Sequence, residues 1–123
     1  MDKNSKILIT GSHGMVGISL VNRLKKNGYK NLLTPSSGEL DLRRQEETEK
    51  YFSGNKMDYV IHLAAKVGGI MANIKSPAGF LYDNLMINFN VIESSRRHNV
   101  KKLLYLGSSC IYPKDCPQPM KEE

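Results

Sequence analysis

The chain has 123 residues, 40% of them hydrophobic and 24% charged, which suits one domain and excludes a disordered or collagenous chain. Its formal charge of +6 is spread evenly, with ten Lys/Arg against seven Asp/Glu in residues 1–60 and eight against five in residues 61–123. The sequence therefore carries no basic arm of the kind that grips nucleic acid, and no apolar run approaches the roughly 20 residues of a membrane span.

Residues 6–10 read Lys-Ile-Leu-Ile-Thr, a short apolar run that predicts a buried strand. Ahead of it, Met1-Asp2-Lys3-Asn4-Ser5-Lys6 leads into only three apolar residues. That is too short for a secretory signal, and a soluble cytoplasmic protein is expected. A glycine-rich turn follows. Val16, Leu20 and Leu24 then fall at helical spacing, with Lys25 and Lys26 in the last turn and Asn27-Gly28 as the stop. Residues 31–34 predict a second strand, closed by Pro35-Ser36-Ser37-Gly38.

Residues 44–53 predict a second helix with Tyr51 and Phe52 on its apolar side and Gly54 at its end. Residues 59–63, Tyr-Val-Ile-His-Leu, predict a third strand, and residues 64–75 a loop of small residues containing Gly68-Gly69. Ser76-Pro77 reads as an N-cap with proline at the first helical position. The helix it opens is expected to run to about Asn99 and to bury a stripe of Leu81, Leu85, Asn88, Ile92 and Ser95. The cluster Arg96, Arg97, Lys101 and Lys102 suits a helix C-terminus. Residues 102–106 predict a fourth strand. Beyond Gly107-Ser108-Ser109 the prolines at 113, 117 and 119 keep the tail out of regular structure.

Strand and helix alternate throughout. The expected fold is therefore α/β, a Rossmann-type three-layer fold with a parallel sheet between helices. Right-handed crossovers suggest strand order 3-2-1-4, counted along the chain. The whole chain, 1–123, is expected to form one nucleotide-binding domain. Cys110 and Cys116 fit no zinc or CxxC spacing, and His13, His62 and His98 are too scattered to hold a metal, so no metal is expected.

Gly11, Gly14 and Gly17 give G-x-x-G-x-x-G directly between a strand and a helix. Gly11 would allow the tight turn, Gly14 would admit a pyrophosphate to the backbone, and Gly17 would let the helix approach the sheet. The N–H groups at the helix start, helped by its dipole, would face the phosphates. Ser12, His13, Met15 and Val16 complete this turn as candidate cofactor contacts. No carboxylate precedes Glu39 at the end of the second strand. Ser36 and Ser37 stand there instead, and their hydroxyls tolerate a 2′-phosphate, so NADP is favoured over NAD. Asp41 and Leu42 either meet the adenine or start the next helix. Lys66 reads as a loop residue, and Asn84 and Asn90 either touch cofactor or serve as capping or solvent-facing groups.

T-G-x-x-G-x-x-G at residues 10–17 and His62-Leu63-Ala64-Ala65 resemble the extended short-chain dehydrogenase/reductases. Three blocks narrow the likeness to the GDP-L-fucose synthases: Gly11-Ser12-His13-Gly14-Met15-Val16-Gly17, Ala64-Ala65-Lys66-Val67-Gly68-Gly69-Ile70 and Leu106-Gly107-Ser108-Ser109-Cys110-Ile111-Tyr112-Pro113. The resemblance implies NADP(H) lying across residues 11–17, along Ala64 and Ala65, and against Leu106, Gly107, Ser108 and Ser109. It implies a GDP-sugar substrate, GDP-4-keto-6-deoxymannose, epimerised at C3 and C5 and reduced at C4. Ser108 matches the active-site serine that bonds the C4 oxygen, and Cys110 the acid/base of epimerisation. On local sequence alone Ser109 is an equal candidate for the hydroxyl.

The family also uses a Tyr-x-x-x-Lys pair, which none of the six tyrosines supplies. The resemblance therefore reaches only the N-terminal portion of the family's length, and the substrate-binding part is absent from these residues. The expected reading is the cofactor-binding portion of such an enzyme, inactive alone, with a possible homodimer in the full-length family. The alternatives are a free-standing dinucleotide-binding module and the corresponding portion of an epimerase or dehydratase for another nucleotide sugar.

Overall fold

The computed structural model describes residues 1–108 and 111–121. Along the chain it forms β1 (Ile7–Thr10), α1 (Met15–Lys26), β2 (Leu32–Leu33), α2 (Gln45–Asn55), β3 (Tyr59–His62), α3 (Ile70–Lys75), α4 (Pro77–Arg97) and β4 (Lys102–Tyr105). All strand pairs are parallel.

The side chains of each strand alternate between two faces of the sheet. Leu8 and Val60 point to one face, where they meet Phe52 of α2 and Val91 of α4, together with Leu40, Leu42 and Met57. Ile7, Ile9 and Ile61 point to the other face and meet Leu24 of α1. Two helices thus cover one face and one helix the other. Asp58 ties the N-terminal ends of the strands together. It accepts the Lys6 N–H at 2.9 Å and pairs with Lys101 Nζ at 2.7 Å. Lys101 holds its carboxyl below the ordinary range, with the Lys6 N–H adding to the effect.

The α/β class holds, but the strand order is β2-β1-β3-β4 rather than 3-2-1-4. The third strand lies beside the first, on the side away from the second. Right-handed crossovers allow either direction. The order 3-2-1-4 would put α1 and α2 on one face, because both connections would step the same way. Here Phe52 of α2 joins the Leu8 face and Leu24 of α1 the Ile9 face, so the second connection steps back across β1.

Three local expectations also change. α2 runs through Gly54 to Asn55 and is closed by Lys56, which takes the left-handed conformation at φ 49°. Residues 70–75, expected as loop, form the short helix α3. Ser76 precedes α4 with Pro77 at the helix start, but its side chain makes no capping hydrogen bond.

The buried stripe of α4 is also different. Asn90, Val91, Ser94 and Ser95 face inward, while Leu81, Tyr82, Leu85, Phe89 and Ile92 are exposed. The most apolar face of this helix is therefore not the one that is buried. The basic cluster at its end is largely neutralised: Arg96 pairs with Glu93, Arg97 with Glu49 and Lys101 with Asp58.

Candidate cofactor site

β1 hands on to β2 on one side, and β3 hands on to β4 on the other. The carboxyl ends of β1 and β3 therefore lead chains away in opposite directions and leave a crevice, the usual place for a ligand in an open α/β sheet. A cleft of about 800 Å³ opens there. Its walls include Thr10, Gly11, His13, Gly14, Met15, Val16 and Gly17 from the first turn, and Pro35, Ser36 and Ser37 after β2. Leu40, Asp41, Leu42 and Arg43 line it before α2, Leu63, Ala64, Ala65, Lys66 and Val67 after β3, and Asp83 and Ile87 on α4.

The three glycines of the turn have different physical reasons. Gly11 has φ +67°, and a Cβ there would lie 2.8 Å from the backbone nitrogen of Ala64. It allows the two diverging turns to touch. A Cβ on Gly17 would stand 2.2 Å from the Gly11 carbonyl oxygen, so a side chain there would push α1 off the strand. A Cβ on Gly14 would meet only that same oxygen, at 3.3 Å, and otherwise open space.

Gly14 is also the N-cap of α1. No side chain caps the helix and no acidic residue occupies its first turn. The backbone N–H groups of Met15, Val16 and Gly17 precede the first closed helical turn, so the cleft meets the positive end of the α1 dipole. This cradle fits a pyrophosphate: bare backbone, oriented N–H donors and no competing carboxylate.

After β2 the chain presents Ser36 and Ser37. Glu39, the nearest acid, folds back: one of its carboxylate oxygens accepts both the N–H and the hydroxyl of Ser36 at 2.7 Å. These bonds, the backbone one first, hold its carboxyl below the ordinary range. Asp41 takes Arg43 in a two-pronged pair at 2.9 and 2.8 Å, which lowers its own carboxyl in the same way. Asp83 pairs with Lys66 at 2.7 Å and stands 3.8 Å from Arg43.

The polar side chains of α4 hold the walls in place. Asn84 accepts the Lys66 N–H at 2.8 Å and donates to the Lys66 carbonyl at 3.0 Å. Asn90, buried, donates to the Leu42 carbonyl at 2.8 Å. Neither residue caps a helix or faces solvent freely; both fasten loops that line the cleft. A helix-facing asparagine reads the same in sequence whether it meets water or a distant backbone.

Most of the expected contacts come together here. Ser12 does not: it is buried behind the turn, with its hydroxyl 3.1 Å from Nδ1 of His13. Leu106, Gly107 and Ser108 do not line the cleft either. They follow β4, and of the three Leu106 still bonds β3, its N–H reaching the His62 carbonyl at 3.4 Å. β3 separates them from β1, at about 4.8 Å per strand. Ser109 and Cys110 lie outside the described residues. Sequence reasoning missed Arg43, Asp83 and Ile87. Their signal was the strand order, which brings the start of α2 and the middle of α4 to the same crevice. Among the described residues no group of His, Cys, Asp and Glu could hold a metal ion, and no helix is long and apolar enough to cross a membrane.

Residues 7–123 match the model of the NAD dependent epimerase/dehydratase family. The chain is 53% identical over 121 residues to GDP-L-fucose synthase 1 of Arabidopsis thaliana, covering 98% of this chain and 38% of that protein. It is 43% identical to the GDP-L-colitose synthase of Yersinia pseudotuberculosis, covering 96% and 38%. A GDP-mannoheptose C4 reductase from Campylobacter jejuni, solved with NADP bound, superposes with a TM-score of 0.93 at 43% identity, covering 98% and 38%. The chain thus spans a little over a third of the length of these relatives.

Proposed function

The chain belongs to the NAD dependent epimerase/dehydratase family, and on that premise we propose that it is the NADPH-binding portion of an epimerase/reductase acting on a GDP-linked 4-keto-6-deoxy sugar. The observation that carries this is the β1/β3 crevice, where an uncapped helix N-terminus and the bare Gly14 backbone face a cleft free of acidic groups in the first helical turn. The names of the relatives, GDP-L-fucose and GDP-L-colitose synthases, support the substrate class.

Gly11 to Gly17 hold the pyrophosphate, and Asp41 and Leu42 border the adenine. Ser36 and Ser37 stand where a 2′-phosphate would lie, with the N–H and hydroxyl of Ser36 engaged by Glu39. Ala64 and Ala65 form the opposite wall. Bound NADPH supplies the hydride for C4. Ser108 donates a hydrogen bond to the C4 oxygen and steadies the charge that gathers there. Cys110, as thiolate, removes the acidic proton next to the ketone at C3 or C5, and inversion is completed when a second acid protonates the resulting enolate from the opposite face. The reduction also calls for a tyrosine with a lysine four residues on, which these residues lack. We expect the 123-residue chain to bind NADPH and to leave the sugar unreduced. The exposed Leu85, Phe89 and Ile92 of α4 suit pairing with a second copy, and the enzyme is read as a cytoplasmic homodimer.

Titration calorimetry tests the binding reading. NADPH should bind more tightly than NADH, and Gly14→Val should abolish the signal by filling the cradle. Equal affinity in the Gly14→Val chain would overturn it. Turnover of GDP-4-keto-6-deoxymannose with NADPH by the 123-residue chain would overturn the requirement for the missing pair.

A further inference from the structure

His62 ends β3 with a side chain that is 1% exposed, and the function proposed above gives it no role. Three elements face its ring. Thr10 of β1 places Oγ1 2.6 Å from Nδ1. Asn88 of α4 places Oδ1 3.0 Å from Nε2. Tyr105 of β4 stacks on the ring at 5.5 Å between centroids and takes a hydrogen bond from Asn88 Nδ2 at 3.0 Å.

Proton accounting decides the tautomer. A threonine hydroxyl has one proton and two lone pairs. Here the oxygen accepts the Ala64 N–H at 3.3 Å and the Leu63 N–H at 3.2 Å, the latter shared with the Thr10 carbonyl oxygen at 3.2 Å. Both lone pairs are used, so the hydroxyl proton points at Nδ1. Nδ1 is then bare, and the proton of the ring sits on Nε2, given to Asn88. A proton on Nδ1 would aim a third donor at a filled oxygen and strand the threonine proton in a buried place. Burial pushes the imidazole below its ordinary pKa and so keeps the ring neutral, with one nitrogen bare.

The two N–H groups that Thr10 holds belong to the point where the chain leaves β3 and becomes the cleft wall. Ala64 is also the residue whose backbone nitrogen lies against Gly11. We propose that His62 is a positioning residue of the cleft: held between Thr10 and Asn88 as the Nε2–H tautomer, it orients the Thr10 hydroxyl and so fixes the wall at Leu63 and Ala64 against the glycine turn. Its effect on cofactor affinity rests on the dinucleotide reading above; its effect on the wall does not.

The test uses the 123-residue chain with 15N-labelled histidine. A long-range proton–nitrogen spectrum should show His62 with a bare Nδ1 and a protonated Nε2, unchanged as the pH is lowered through the ordinary histidine value of about 6.5. His62→Phe keeps an aromatic ring but offers Thr10 no acceptor. It should speed amide exchange at Ala64 and weaken NADPH binding, each by about tenfold, the loss of one buried hydrogen bond. His62→Gln, which can both accept and donate, should restore most of both. Thr10→Val and Thr10→Ser form a second pair with the same expected contrast, should His62→Phe fail to fold. A purely structural role would lower Tm in these variants and leave Ala64 exchange and affinity unchanged in the folded fraction. That result, or a ring that carries its proton on Nδ1, would overturn the proposal. If the unsubstituted chain binds no NADPH, the function proposed above falls, and the spectrum and Ala64 exchange still decide the role of His62.

Discussion

β1 and β4 are both four-residue parallel strands, and each lies against β3 in register. β1 is buried at every position, whereas β4 is exposed at three of four. Ile9, Ile61 and Leu104 form one row across the sheet, yet Ile9 is 0% exposed and Leu104 is 49% exposed. Their side chains are similarly apolar, so the difference is cover. β1 has α1 on one face and α2 with α4 on the other. Leu103 of β4 packs against the α2/α4 core, while Leu104 points to the side that α1 does not reach. A strand's burial is a property of its neighbours, and the crevice forms at the well-covered strand.

The largest effects should separate these two strands. Ile9→Ala is expected to cost about 2–5 kcal/mol in urea unfolding, through lost burial plus a cavity. Leu104→Ala in the same row should cost about 1 kcal/mol or less. Equal costs would show that the cover is not what distinguishes them. Within the covered region, Gly17→Ala should destabilise by about 1–3 kcal/mol, because its Cβ meets the Gly11 carbonyl. Gly14→Val should change stability by about 1 kcal/mol or less and still lose NADPH binding, which separates packing from cradle. At the exposed strand, Leu104→Lys should shift stability in urea unfolding by only about 0.5 kcal/mol, because the side chain is already half in solvent.

The smallest expected effect is on pH dependence. The folded pKa of His62 lies below its unfolded value of 6.5, because the ring is buried. In that window the unfolded chain binds a proton that the folded chain does not. Stability is therefore complete above about pH 6.5 and declines as the pH falls toward the folded value. His62→Gln should flatten this decline in unfolding titrations between those limits, and an unchanged slope would assign it to other groups.

The glycine turn was the most legible part of the molecule. The motif is local: strand, turn and helix start are adjacent in sequence, and Gly14 and Gly17 answer to contacts within a few residues, while Gly11 answers to the turn after β3. Ser36, Ser37, Asp41, Leu42, Ala64 and Ala65 were legible as loops after strands, and all border the cleft. The apolar stripe of α4 misled. Leu81, Leu85 and Ile92 have helical spacing, but the buried side is Asn90, Val91, Ser94 and Ser95, with Ser94 reaching Glu49 of α2 and Val91 entering the Leu8 core. Small and polar residues pack closely there because α4 shares its face of the sheet with α2, and Asn90 has a carbonyl to bond.

The alternation of strands and helices, the glycine turn and the family likeness were legible before folding, since these rest on short-range periodicity and on contiguous motifs. That β3 lies beside β1 came only with the fold. That choice depends on which face of the sheet each helix covers, a matter of packing between segments far apart in the chain. From it follow the position of the crevice, the reach of Arg43 and Asp83 into its wall, and the enclosure of His62 between Thr10, Asn88 and Tyr105. None of these contacts has a local signature, because a buried hydrogen bond is specified by two residues that only the fold brings together.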